Sequence, residues 1–182
     1  MASVPGADSS PSAVRDFYTG STGVIVAAQL LGLLAAACLA VFARALSSLA
    51  PAARAAAVRW SGYAVSAAAV LTAVPVLWLC AVAAGAPDDR LHSLAELSDL
   101  TDVPLFAAVA VFAVCVARHA ARRWLQVTGW LVALVTAARA VLLVVGSSRL
   151  GLVAPMAFIL LVLVLSVSNL ARPGAPLLRP AS

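Results

Sequence analysis

Arg139 lies inside an apolar run long enough to cross a bilayer, Trp124 to Gly146 (WLQVTGWLVALVTAARAVLLVVG). An ionised side chain at bilayer depth costs about 2.5–3.5 kcal/mol on insertion scales, so it is ordinarily paired or turned toward a wet interior. Arg139 is seven residues from Gly146, which places it about 10 Å below that end of its helix. Thr136 and Thr128 share its face, and Gly129, Ala133 and Ala137 form an adjacent small-residue face suited to close helix contact. Gln29, in the first apolar run, falls at about the same depth. Asp102 and Asp99, at the mouth of the third run, are the carboxylates best placed to neutralise the guanidinium. The functional expectation is an outward-facing polar pocket of Arg139, Gln29, Asp102 and Asp99, taking an anionic or zwitterionic small molecule or a lipid headgroup. The structural expectation is that Arg139 snorkels outward or pins the fourth span to the third through an ion pair. The structural reading is the stronger of the two.

A second group of titratable residues sits in the polar connection 86–103, APDDRLHSLAELSDLTDV. At about 100° per residue His92, Glu96 and Asp99 share one helical side, while Leu94, Leu97 and Leu100 cover another. The cluster has the residue types of a divalent-metal or pH-sensing site, but a solvated acidic face explains it more simply. Ser93-Leu-Ala-Glu96 has the form of a capping box and places a helix start near Leu94. The only other histidine, His119, falls beside arginines at the far end of the third run, which excludes a bis-histidine haem. Cys38, Cys80 and Cys115 all lie in apolar runs without metal or disulfide spacing. The sequence contains no HExxH, GxSxG, P-loop or GxGxxG motif, and no carboxylate pair within an apolar run. No enzyme, cofactor or metal site is therefore expected.

The elements that must position these residues are membrane spans. Hydrophobic residues make up 64% of the 182, and charged residues only 10%, with a mean hydropathy of +1.06. Soluble domains are about a quarter charged, so this composition belongs in lipid. The net charge of +5 is carried by arginines in short connections, where it reads as a topology signal and not as a nucleic-acid footprint. Five apolar runs follow: Gly23–Leu46, Trp60–Gly85 with Pro75 inside it, Pro104–Ala117, Trp124–Gly146 and Leu152–Ala171. The first carries a small-xxx-small pair, Gly32 and Ala36. The third is short alone and needs the amphipathic stretch above it, with Pro104 marking a break or kink between them.

The expected fold is an all-α integral membrane bundle of five transmembrane helices, with a short outer amphipathic helix before the third span. Residues 1–22 read as a disordered polar leader, 23–171 as the membrane domain and 172–182 as a disordered tail. With the amino terminus outside, Arg44, Arg54, Arg59, Arg118, Arg122, Arg123, Arg172 and Arg179 fall in the cytoplasm. Only Arg15, Arg90 and Arg149 are then left outside, and all seven carboxylates join them.

Three stretches carry a resemblance: AAQLLGLLAAACLAVFARAL after Phe17-Tyr18, LAELSDLTDVPLF before the third span, and RRWLQVTGWLVALVTAARAV. Together they resemble a domain-of-unknown-function family of actinobacterial multi-pass membrane proteins, over most of residues 17–171. Pro104 departs from the usual pattern. The resemblance implies a helical membrane fold and no activity. The expected function is a small non-enzymatic accessory or regulatory membrane protein, with the lipid bilayer and a second copy or another membrane protein as partners. The alternative is a small-molecule or ion transporter or channel, built on the pocket at Arg139.

Overall fold

The computed structural model describes residues 9–48, 52–120, 122–145 and 151–170, with the backbone alone at 52–54 and 169–170. The tail, the turn holding Arg149 and the side chains of Arg54 and Asn169 lie outside the described residues. Six helices follow in order: α1 Pro11–Gly20, α2 Thr22–Ser48, α3 Ala52–Val82, α4 Asp88–His119, α5 Arg123–Val144 and α6 Val153–Leu170. Four of them, α2 to α5, are long and apolar enough to cross a membrane. The fifth apolar helix, α6, has 18 residues and reaches about 27 Å, just short of a hydrocarbon core of about 30 Å.

Two expectations are corrected at the α1 end. The leader is not wholly unstructured, because residues 11–20 form α1. Its start is written in the sequence: Ser10 is the N-cap, its Oγ accepting the Ala13 amide at 3.3 Å, and Pro11 opens the first turn. The separate amphipathic helix before the third span is also replaced. Asp88 to His119 is one helix of 32 residues that runs through Pro104. Proline removes one backbone donor, a loss that a helix packed along both α3 and α5 can absorb. The helix begins six residues ahead of the expected Leu94 start, with Pro87 at the N-cap and Asp88 and Asp89 in the first turn. Those carboxylates favour the positive end of the helix dipole. Ser93 does not cap; its Oγ donates to the Asp89 carbonyl at 3.0 Å. In α3, Pro75 likewise lies within a continuous helix.

From α2 onward each helix packs mainly on its neighbours in sequence: α2 on α3, α3 on α4, α4 on α5, and α6 more lightly on α5, whereas α1 packs most on α4. The core runs through Val58, Val65, Phe112, Val116, Leu125, Leu161 and Leu165. The Phe112 and Phe158 rings meet edge to face, 6.3 Å between centroids, and tie α6 to α4. In lipid, where apolar burial drives little association, close approach of backbones matters more. Two glycines provide it. A Cβ on Gly62 of α3 would collide with Ala43 of α2, and one on Gly129 of α5 would lie 2.8 Å from the Ala117 Cβ of α4. Of the small-residue face expected on α5, Gly129 and Ala133 are buried and Ala137 is exposed. Gly32 behaves differently: Ala36 is buried, but nothing lies within 4 Å of where a Gly32 Cβ would be.

The ends of the bundle are chemically distinct. Arg44, Arg59, Arg118, Arg122 and Arg123 gather at one end, whereas Asp16, Asp88, Asp89, Glu96, Asp99 and Asp102 are carried by α1 and the first half of α4 at the other. Trp60 and Trp124 are exposed near the arginine end and Trp78 near the α1 end, as aromatic belts require.

Candidate functional site

Arg139 is buried, with 9% of its surface exposed. Because α5 returns alongside α4, the guanidinium faces residues near the middle of α4. Its Cζ lies 5.9 Å from the centroid of the Phe106 ring, within cation–π range. Asp102, one turn toward the α1 end, is half-buried and within electrostatic reach of both Arg139 and Asp99. Thr136 is fully buried beside Arg139 on α5, and its Oγ1 donates to the Val132 carbonyl at 2.8 Å. The structure thus brings together three of the four expected residues. Gln29 is not among them, since α2 and α5 share no packed interface.

The charged assembly continues to the surface through α1, which the sequence reading missed. Arg15 Nη2 bonds Asp88 Oδ1 at 2.8 Å and the Ala86 carbonyl at 2.8 Å, and its Nε bonds the Ala83 carbonyl at 3.3 Å. One guanidinium therefore fastens α1 onto the end of α3 and the start of α4. Beneath it, Val14 and Tyr18 pack with Leu79, Ala83 and Leu91. The signal was present: Val14, Phe17 and Tyr18 recur at the three- and four-residue spacing of a helix stripe.

Tyr18 is 4% exposed. Burial, then the neighbouring charges of Cys80 and Asp99, push its phenol from 10.0 to about 12. A phenol whose pKa is raised on folding contributes stability that is complete below its unfolded value and is lost as pH rises through the folded one. Docking of α1 is therefore expected to weaken between about pH 10 and about pH 12. Phenolate absorbance, with amide exchange of α1 in parallel, checks this. Tyr18→Phe keeps the ring and should remove the transition; an α1 that loosens identically in that variant would refute the link.

The His92 cluster reduces to a surface pair. His92 Nε2 lies 3.2 Å from Glu96 Oε1, with about half of each side chain exposed, a geometry typical of solvated i,i+4 partners. Among the described residues, no group of three histidine, cysteine or acidic side chains is arranged to hold a metal ion.

An apolar concavity lies elsewhere. A cavity of about 560 Å³ opens between α2, α3, α4 and α6, with Gly32, Phe42, Val65, Phe106, Phe158 and Ser166 on its walls. None of Arg139, Gln29, Asp102 and Asp99 lines it; Phe106 stands between it and Arg139. No protein-family model, curated protein or solved structure matches the chain.

Proposed function

We propose that this is a non-enzymatic multi-pass protein of the cell membrane, an accessory or regulatory subunit that works through its lateral surfaces. The proposed orientation has the α1 end outside and the arginine end in the cytoplasm. What supports the orientation is the segregation of charge: arginines cluster at one end and the described carboxylates at the other.

The observation that carries the role is how the polar groups of the spans are used. The hydroxyls of Ser61, Ser66, Thr72, Thr136 and Ser166 all donate to carbonyls of their own helices. Arg139 is held against Phe106 in the field of Asp102. Chemistry is thus turned inward, and what the bundle offers outward is apolar helix surface. On α2 only 11% of the apolar window is buried, less than on any other candidate span. The transporter reading keeps one observation in its favour, the meeting of Arg139, Asp102 and Asp99 near the α1 end.

Native mass spectrometry of the protein extracted gently from its own membrane separates the two. The expected result is a stoichiometric protein partner, a second copy or another membrane protein, retained in Arg139→Ala. A defined small molecule that is bound by the wild type and lost in Arg139→Ala would replace this reading with the transporter one.

A further inference from the structure

We propose that the cavity between α2 and α6 is a lipid site, which takes one acyl chain of an anionic phospholipid from the leaflet at the arginine end. The argument begins with what cannot fill it. Its walls are almost wholly apolar, and the hydroxyl of Ser166 already donates to the Val162 carbonyl at 2.8 Å. Water needs two to four polar partners to stay in a cavity and does not find them here. A void of this size open to hydrocarbon would forfeit the dispersion contacts of every lining atom.

Shape then decides between the apolar occupants. Along α2 the cavity runs from Gly32 to Phe42, and along α6 from Pro155 to Ser166, about 15 Å and 16 Å at helical rise. That is the depth of one leaflet, half of a hydrocarbon core of about 30 Å. A single flexible acyl chain, supplied by the leaflet itself, matches a slot of that depth.

Charge fixes the headgroup. Along α2 the slot runs down to Phe42, two residues before the exposed Arg44. Its far wall ends at Ser166 on α6, at the same end of the bundle. A chain lying in it carries its phosphate to the level of the arginine cluster, where anionic headgroups are favoured.

Gly32 gives a test that leaves helix packing alone. Nothing lies within 4 Å of its missing Cβ and it lines the slot, so Gly32→Trp places its side chain in the slot with no clash at the Cβ. The protein is reconstituted in vesicles of equal parts phosphatidylcholine and phosphatidylglycerol, with a photoactivatable acyl chain on one lipid or the other. Labelling is expected to concentrate on the α2 and α6 peptides, to favour the phosphatidylglycerol probe, and to be lost from those peptides in Gly32→Trp. Ala35→Phe, another wall position, should act likewise, while Leu34→Trp on exposed α2 surface should change nothing. Uniform labelling of all lipid-facing helices, equal labelling by both probes, or slot labelling unmoved in both blocking variants would overturn the proposal. So would crosslinks showing another protein chain seated in the slot.

Discussion

Replacing Arg139 with leucine is expected to lower the stability of the folded bundle by about 3 kcal/mol while leaving membrane insertion intact or improved. The two effects have opposite signs, and the order of events separates them. On insertion, an arginine at depth costs α5 about 2.5–3.5 kcal/mol relative to an apolar residue, so leucine makes the inserted helix more favourable. On assembly, wild-type α5 recovers part of that cost by placing the guanidinium against Phe106 and beside Asp102. The leucine variant has nothing to recover, and it leaves Asp102 half-buried next to Asp99 with its compensating charge removed. The expected pattern is an undiminished amount of protein in the membrane with a lower unfolding midpoint in mild detergent. Adding Asp102→Asn to that background should restore about 1–2 kcal/mol, the coupling expected of residues in one electrostatic group. Strict additivity of the two changes would mean that Asp102 does not serve Arg139. Arg139→Lys should fall between, because it keeps a charge but not the planar guanidinium that lies against the phenylalanine ring.

The parts of this architecture that depend on period and charge are visible in the sequence. The first four of the five apolar runs become α2 to α5, the short third one joined to the amphipathic stretch before it, and the arginine asymmetry becomes the segregation of charge between the two ends. Arg139 could be paired with Asp102 and Asp99 beforehand because consecutive short-loop helices run alongside each other, which brings the end of α5 to the start of α4. Gln29 failed for the converse reason. Depth can be counted along a helix, but which helices touch is decided by packing, and α2 packs on α3 instead of α5. Pro104 misled because a local rule, the break before proline, was outweighed by the tertiary contacts of a 32-residue helix on both flanks. Helix α1 was hidden by composition: serine, proline and glycine suggested a mobile leader, whereas Ser10 with Pro11 is a helix start and Arg15 finds three acceptors far away in sequence. The cavity was not legible at all. Gly32 and Ala36 have the spacing of a close helix contact, and only the assembled bundle distinguishes a glycine that receives a neighbour from one that opens onto empty space.

That distinction sets the second large effect. Gly129→Leu is expected to separate α4 from α5 and to abolish the folded bundle or lower its stability by about 3 kcal/mol or more, at the upper end of overpacking costs. A Cβ at this position would lie 2.8 Å from the Ala117 Cβ and 3.1 Å from both the Ala113 carbonyl oxygen and the Ala117 Cα. Two of those three atoms are backbone, so relief requires the helices themselves to move. Gly129→Ala should be milder, because the better helix propensity of alanine, about 1 kcal/mol, offsets part of the strain. Combining Gly129→Ala with Ala117→Gly should give only partial rescue, since the Ala113 carbonyl remains in the way. At Gly62 the comparison reverses. There the nearest obstacle is the Ala43 side chain, and the next atoms are 3.5 and 3.6 Å away, so Gly62→Ala should be rescued almost fully by Ala43→Gly. Gly32→Ala, with open space before it, should be neutral or stabilising. Thermal unfolding of the six variants in the same detergent checks the whole order. A Gly129→Leu protein that unfolds like wild type would show that α4 and α5 do not meet at this glycine.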